Sequence, residues 1–357
     1  MKARIVIGSN YGDEAKGTVV ARYTKQSENV LNVLTNGGSQ RGHSILTEDG
    51  SMTFQHFGSG TYHGADSYYS CFFILNPMQF AKEHKSLIRK PLHIYRDKNC
   101  RWSTPYDMIF NSITEKSLKR KASCGMGIWN TIKRYNETYC CGFDSFMKRS
   151  VESKLYYLNN IKSYYERKMT IPNEWKHIWD SANMIAHFIE DCGYMYDNTS
   201  VCDLNDLGYD NIIFENGQGL LLSDTGKDIP DTTPSDTGIT YGLRLARKMG
   251  IDDSDITAHY VTRPYLTRHG DGFICDGETN LKNISCGLNE DRTNIWNEFQ
   301  GEFRYGNLDI AGLKQRIENN RQNINYELEL THCDEMDRVS EFSRFFDKVN
   351  TYDTPLV

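Results

Sequence analysis

Asp13 and Lys16 stand in the string Gly12-Asp13-Glu14-Ala15-Lys16-Gly17-Thr18, just after the β-branched run Arg4-Ile5-Val6-Ile7-Gly8. Such a run reads as a buried strand, and the glycines that follow free the backbone to turn N–H groups toward an anion. Residues Glu14 to Ala21 are helix-competent, so those amides would lie at a helix N-terminus, where phosphate binds favourably. The lysine precedes the second glycine of the string, which is not the common phosphate-loop spacing. A carboxylate beside a polyphosphate is repelled unless a cation separates them or the acid serves the chemistry. Asp13 is therefore expected to bind magnesium, to take a proton, or both.

The elements that must position these groups follow in order. Val30-Leu31-Asn32-Val33-Leu34 reads as a second buried strand, ending in Asn36-Gly37-Gly38-Ser39-Gln40-Arg41-Gly42-His43-Ser44. Two strands joined by a helix make a βαβ unit with both glycine-rich loops at one sheet edge, where open α/β folds bind ligands. This places His43 opposite Asp13. Further strands are read at Ile212-Ile213-Phe214-Glu215 and His259-Tyr260-Val261-Thr262, with a helix over 238–250 between them. The chain is read as α/β: residues 1–357 form one domain on a mostly parallel central sheet, with a polar, aromatic helical insertion over residues 144–200.

The first loop resembles the GDEGKG signature of the adenylosuccinate synthetase family, with Ala15 for the middle glycine. The second resembles its GGNNAGHT, with Gln40 for an asparagine and Ser44 for a threonine. His56-Phe57-Gly58-Ser59-Gly60 is similar to HLxPSG, and Asn216-Gly217-Gln218-Gly219 after Phe214-Glu215 to FEGAQG. Pro230-Asp231-Thr232-Thr233-Pro234-Ser235-Asp236-Thr237 resembles the VTSSNTT loop, whose hydroxyls suit a phosphate. Weaker counterparts carry departures. In Ser123-Cys124-Gly125-Met126-Gly127-Ile128, compared with TTGRGIGP, Cys124 replaces a threonine, Met126 an arginine, and Trp129-Asn130 follow in place of Gly-Pro. Thr267-Arg268 resembles part of YxTRVGxGPFP. Arg304 is the one arginine left in a shortened aspartate loop, where Glu302 takes the place of the first. Thr331-His332-Cys333-Asp334 resembles LTKLD, with His332 for the lysine.

The resemblance implies a ligase that joins L-aspartate to C6 of a purine monophosphate through a 6-phosphoryl intermediate. It implies that Asp13 is the base at the purine N1 proton and His43 the donor to the phosphoryl group. Lys16 would neutralise transferring charge and Gln218 orient the base. The phosphoryl-donor nucleotide would be held by Gly12, Glu14, Ala15, Lys16, Gly17, Thr18, Gly42, His43, Ser44, Thr331 and Asp334. The purine monophosphate would meet Asp13, Gln40, Ser123, Cys124, Gln218 and Thr233, with Arg134 reaching across a homodimer interface. Arg304 and Thr267 would bind aspartate, and Mg2+ would sit at Asp13 and the Gly42 carbonyl. The length resembles the compact archaeal-like branch, and the Glu302 and Met126 departures look most like the phage-encoded relatives acting on dGMP with ATP or dATP. The alternatives are the conventional enzyme using IMP and GTP, and a nucleotide-binding regulator without catalysis.

Composition agrees with a small-molecule enzyme. With 357 residues and a net charge of −6, a broad nucleic-acid footprint is not expected. The ten cysteines show no CxxC pair, which suits a reducing, cytoplasmic setting. No apolar run approaches the roughly 20 residues of a membrane span.

Overall fold

The computed structural model describes residues 1–47, 50–119, 123–223, 232–279 and 301–353. Its central sheet has nine strands, in chain order β1 (Lys2–Gly8), β2 (Val30–Leu34), β3 (Asp66–Tyr69), β4 (Ile94–Arg96), β5 (Ser200–Val201), β6 (Asn211–Gly219), β7 (Ile256–Thr262), β8 (Asn325–Leu330) and β9 (Val349–Thr351). They lie in the order β9-β8-β7-β1-β6-β2-β3-β4-β5, and every neighbouring pair is parallel. A parallel sheet must be covered on both faces. Accordingly Ile5, Val6 and Ile7 are all fully buried, although they alternate in direction.

β1 and β2 do not pair; β6 lies between them, with Phe214 opposite Ile5 on one side and Val33 on the other. The loops after β1, β6 and β2 therefore stand side by side at the carboxyl edge. This is what brings Gln218 between the Asp13 and His43 loops.

α1 (Lys16–Lys25) follows the first loop and turns Val19, Val20, Ala21 and Thr24 inward. The expected helix over 238–250 is observed at Thr240–Lys248. Four helices fill the stretch after residue 142, at Phe143–Met147, Val151–Glu166, Asn173–Trp179 and Ala182–Asp197. Their Trp179, Phe188 and Met195 share one apolar cluster with Tyr69, Phe80 and Trp102. The abundant tyrosines serve such packing: Tyr68, Tyr69, Tyr165 and Tyr260 are nearly inaccessible. Among the described residues no helix is long and apolar enough to cross a membrane, and their nine cysteines are all free.

Candidate active site

The first loop is held from inside. Glu14 is buried, and its Oε1 accepts the N–H groups of Asn10 at 2.9 Å and Gly12 at 3.0 Å. Burial pushes its carboxyl pKa up, while Lys16 opposes the shift. The Lys16 ammonium is itself buried, donates to the Gly12 carbonyl at 2.5 Å and lies 3.7 Å from Glu14 Oε2. The two side chains expected on a polyphosphate thus brace the loop that would receive it. Gly12 is obligatory: at φ +111° its added Cβ would come within 2.9 Å of Gln218 Cα. Gly17 is needed for a close approach, since a Cβ there would meet the Ser44 carbonyl at 2.8 Å.

Ala15 caps α1 at φ 64°, a left-handed conformation that costs an L-residue roughly 1–2 kcal/mol. Ala15→Gly is expected to stabilise the protein by up to about 1 kcal/mol after the added unfolded-state entropy. A urea midpoint that falls would contradict this.

His43 and Glu215 form a buried pair, Nδ1 to Oε1 at 2.5 Å. Glu215 is also held by the Ser59 N–H at 3.0 Å and hydroxyl at 2.8 Å. Burial works against its charge, but the His43 and Ser59 hydrogen bonds and the nearby Arg41 hold the carboxyl down at about 2. Burial pushes His43 down to about 4, only partly offset by Glu215. At neutral pH the imidazole is therefore neutral, with Nδ1–H donated to the carboxylate and a lone pair on Nε2. Because the folded value lies below the ordinary 6.5, His43 contributes stability above that pH and loses it as pH falls toward about 4. His43→Asn is expected to flatten the fall in Tm across that window; an unchanged slope would refute the shift. Sequence reasoning assigned Glu215 no role, although a charged residue ending an apolar strand was the available signal.

These loops form one wall of an open cleft with an interior volume of about 160 Å3. Asp13, Gly12, Gln40, Gly42, His43, Ser123, Cys124, Gln218 and Thr233 line it together. Gln218 sits at φ 56°, and its Oε1 is buried without a hydrogen-bond partner. A buried carbonyl oxygen in that state favours a ligand donor. Gln40 Nε2 donates to Thr233 Oγ1 at 3.1 Å, closing the cleft between two loops. Ser123 Oγ accepts from Asn111 at 2.7 Å and from the Gly125 N–H at 3.2 Å, which leaves its own proton to donate. Cys124 is a poor nucleophile, its thiol pushed up to about 11 by burial.

The profile of the family described as Adenylosuccinate synthetase matches residues 5–343. The chain belongs to the adenylosuccinate synthetase family. It is 26% identical over 285 residues to the adenylosuccinate synthetase of Buchnera aphidicola subsp. Baizongia pistaciae, covering 75% of this chain and 63% of that protein. With that of Blochmanniella pennsylvanica it shares 24% over 283 residues, at the same coverages. The chain thus spans under two thirds of the length of these curated relatives. Among solved structures, fully ligated adenylosuccinate synthetase from Plasmodium falciparum matches with TM-score 0.66 and 20% identity, over 95% of this chain and 78% of that one. Cyanophage S-2L succinoaminodeoxyadenylate synthetase, bound to dGMP and to dATP as an energy donor, also matches with TM-score 0.66, at 13% identity over 99% of this chain and 91% of that one.

Several positions read from the adenylosuccinate synthetase motifs take other places. Arg134 is fully buried within the protomer: Nε and Nη2 bind the two Asp107 oxygens at 2.8 and 2.9 Å, and Nη2 reaches the Trp102 carbonyl at 3.0 Å. It cannot extend to a partner subunit. Arg304 donates to the Gly270 and Gly272 carbonyls and, at 2.8 Å, to Glu278. Its fork is occupied by the protein, so it does not offer a dicarboxylate a bidentate face. Thr267 is buried in the strand Leu266–His269. Neither lines the cleft, whereas Arg268 does. Thr331 Oγ1 bonds inward to the Glu14 and Thr262 carbonyls at 3.1 and 3.2 Å, and Asp334 is exposed. Ala15, Lys16, Gly17, Thr18 and Ser44 surround the start of α1 but are not among the lining residues. Thr237, another hydroxyl of the VTSSNTT counterpart, is buried on the Gly219 carbonyl at 2.8 Å. Pro230 and Asp231, and Phe299 and Gln300 before the aspartate loop, lie outside the described residues.

Proposed function

We propose that the chain joins L-aspartate to C6 of a purine nucleoside monophosphate, with dGMP preferred and ATP or dATP as phosphoryl donor. The product is 2-amino-2′-deoxy-N6-succinyladenylate. The observation that carries this reading is the meeting of Asp13, His43 and the unpartnered Gln218 Oε1 in one cleft. Asp13 takes the N1 proton, and the oxyanion at C6 attacks the γ-phosphorus. The aspartate amine then displaces phosphate from C6 and passes its excess proton to the departing phosphate. As the anionic nucleotides bind, their charge and Glu215 favour His43 as the imidazolium, its second proton taken up from solvent, so that Nε2–H can donate to a phosphoryl oxygen.

The Asp13 carboxylate and the Gly42 carbonyl are hard oxygen donors lining the same cleft, a set that suits Mg2+. Bound there, the ion supplies charge neutralisation on the transferring phosphoryl group. The preference for dGMP draws on the likeness to the cyanophage enzyme and on Glu302 and Met126 in place of family arginines. IMP with GTP is the second reading, favoured by the curated relatives. Turnover with dGMP, GMP and IMP at equal concentrations separates them: dGMP should be fastest, and a strong preference for IMP would return the chain to the conventional reaction. Phosphate release that depends on both aspartate and a purine monophosphate would exclude the regulator. A homodimer stays in the proposal on family likeness alone, to be checked by sedimentation.

For the amino acid, Arg268, which lines the cleft while its Nη1 donates to the Phe273 carbonyl at 2.6 Å, replaces Arg304 as the proposed ligand. Arg268→Ala is expected to raise the KM for aspartate at least about tenfold, the effect of losing a charge-assisted bond. Arg304→Ala, which loosens the loop around Gly270, should reduce Tm before it changes that KM. The reverse pattern would restore the motif-based assignment.

A further inference from the structure

Trp129 stands at the second position of the helix Ile128–Glu137, where the family motif has Gly-Pro. Its side chain is 41% exposed, whereas Trp102 and Trp179 are essentially inaccessible. It lines the same cleft as Asp13, His43 and Gln218. Its indole N–H donates to the Thr232 carbonyl at 3.3 Å. The side chain thus reaches from the wall that carries Ser123 and Cys124 to the wall that carries Thr233. The helix start beneath it is fixed: Gly127 has φ +66°, and a Cβ there would lie 2.6 Å from the Asp107 carbonyl carbon. The ring is therefore presented to the cleft by a rigid element and tied at its far end by one hydrogen bond.

Lys133 Nζ lies 6.0 Å from the ring centroid, and the part of the indole that remains exposed in the cleft is apolar area that a flat ligand would remove from water. Leu222 and Pro234 line the cleft as well. Purine and sugar rings match such a surface, because aromatic side chains stack on bases without regard to their hydrogen-bonding edges. A glycine at this position would leave both the gap and the loop untied.

We propose that Trp129 is a nucleotide-binding contact, its ring packing on the bound purine monophosphate while its N–H is held by the Thr232 carbonyl. This rests on the purine-monophosphate reading of the cleft. The test is a titration with dGMP, followed in parallel by indole fluorescence and by calorimetry, on the full chain and on Trp129→Phe and Trp129→Gly. The full chain should show a saturable fluorescence change with the same midpoint as the heat. Trp129→Phe should lose that change yet still give heat, because a ring remains. Trp129→Gly should bind about tenfold more weakly, the scale of one base–aromatic contact. Heat with an unchanged indole signal in the full chain overturns the contact. So does a Trp129→Phe variant that keeps the whole signal, or a Trp129→Gly variant that binds as tightly as the parent. If the glycine variant does not fold, the phenylalanine variant decides alone. Absence of heat with dGMP, GMP and IMP alike would instead overturn the purine-monophosphate reading itself.

Discussion

Asp13→Asn should lower dGMP- and aspartate-dependent phosphate release by about 10²–10⁴-fold, the usual worth of a positioned general base. The asparagine keeps the shape and the neutral hydrogen-bonding capacity of the side chain but cannot accept the N1 proton. The loop would survive the change, because it is held by Glu14 on the Asn10 and Gly12 amides, by Lys16 on the Gly12 carbonyl and by Arg263 on the Asp13 carbonyl at 2.6 Å. Tm should therefore stay close to that of the parent, and dGMP should still give binding heat. A variant that is folded, binds dGMP and turns over at more than a tenth of the parental rate would remove Asp13 from the role of base.

Glu215→Gln is expected to cost on the order of 10²-fold in turnover, for a different reason. The carboxylate keeps Nδ1 protonated, which fixes the tautomer, and it stabilises the imidazolium needed when phosphoryl charge arrives. A carboxamide can still accept one bond from His43, but it carries no charge, and one of its two positions faces Ser59 with donors instead of a second acceptor. Single-turnover measurements should show slowed phosphoryl transfer with little loss of dGMP binding. Equal losses in binding and rate would mean that the pair only supports the loop, and His43 would lose its place in the chemistry.

The strands were legible because parallel strands covered on both faces must be apolar runs, as Ile5 to Ile7 and Ile212 to Phe214 are. Loop chemistry was legible for the same local reason: glycines beside Asp13, His43 and Gln218 follow strand ends. The neighbour of each strand was not, since apolar periodicity carries no information about which parallel strand lies alongside. Inserting β6 between β1 and β2 is decided by packing more than 170 positions apart, as the contact of Gly217 N–H with Asn36 Oδ1 at 2.8 Å shows across a separation of 181 residues. Orientation of charged side chains was hidden too. Lys16 turns inward because Gly12 and Glu14 fold back beneath it, and Arg304 is consumed by carbonyls some thirty residues earlier. Arg134 reads as an exposed helix residue until Asp107, itself pinned in the capping box of Thr104, supplies a buried counter-charge.

The central position of β6 has a bearing on how the protein is made. A ribosome that has not yet released Asn211 has delivered β1 with neither of its neighbours, since both β6 and β7 come later, whereas β2 has only β3 beside it. Parallel pairings of such long sequence separation form slowly and leave unpaired edges exposed in the meantime. Nascent chains arrested before that point should be protease-sensitive throughout the first loops and aggregation-prone, with protection appearing abruptly once the strand ending in Gly219 has emerged.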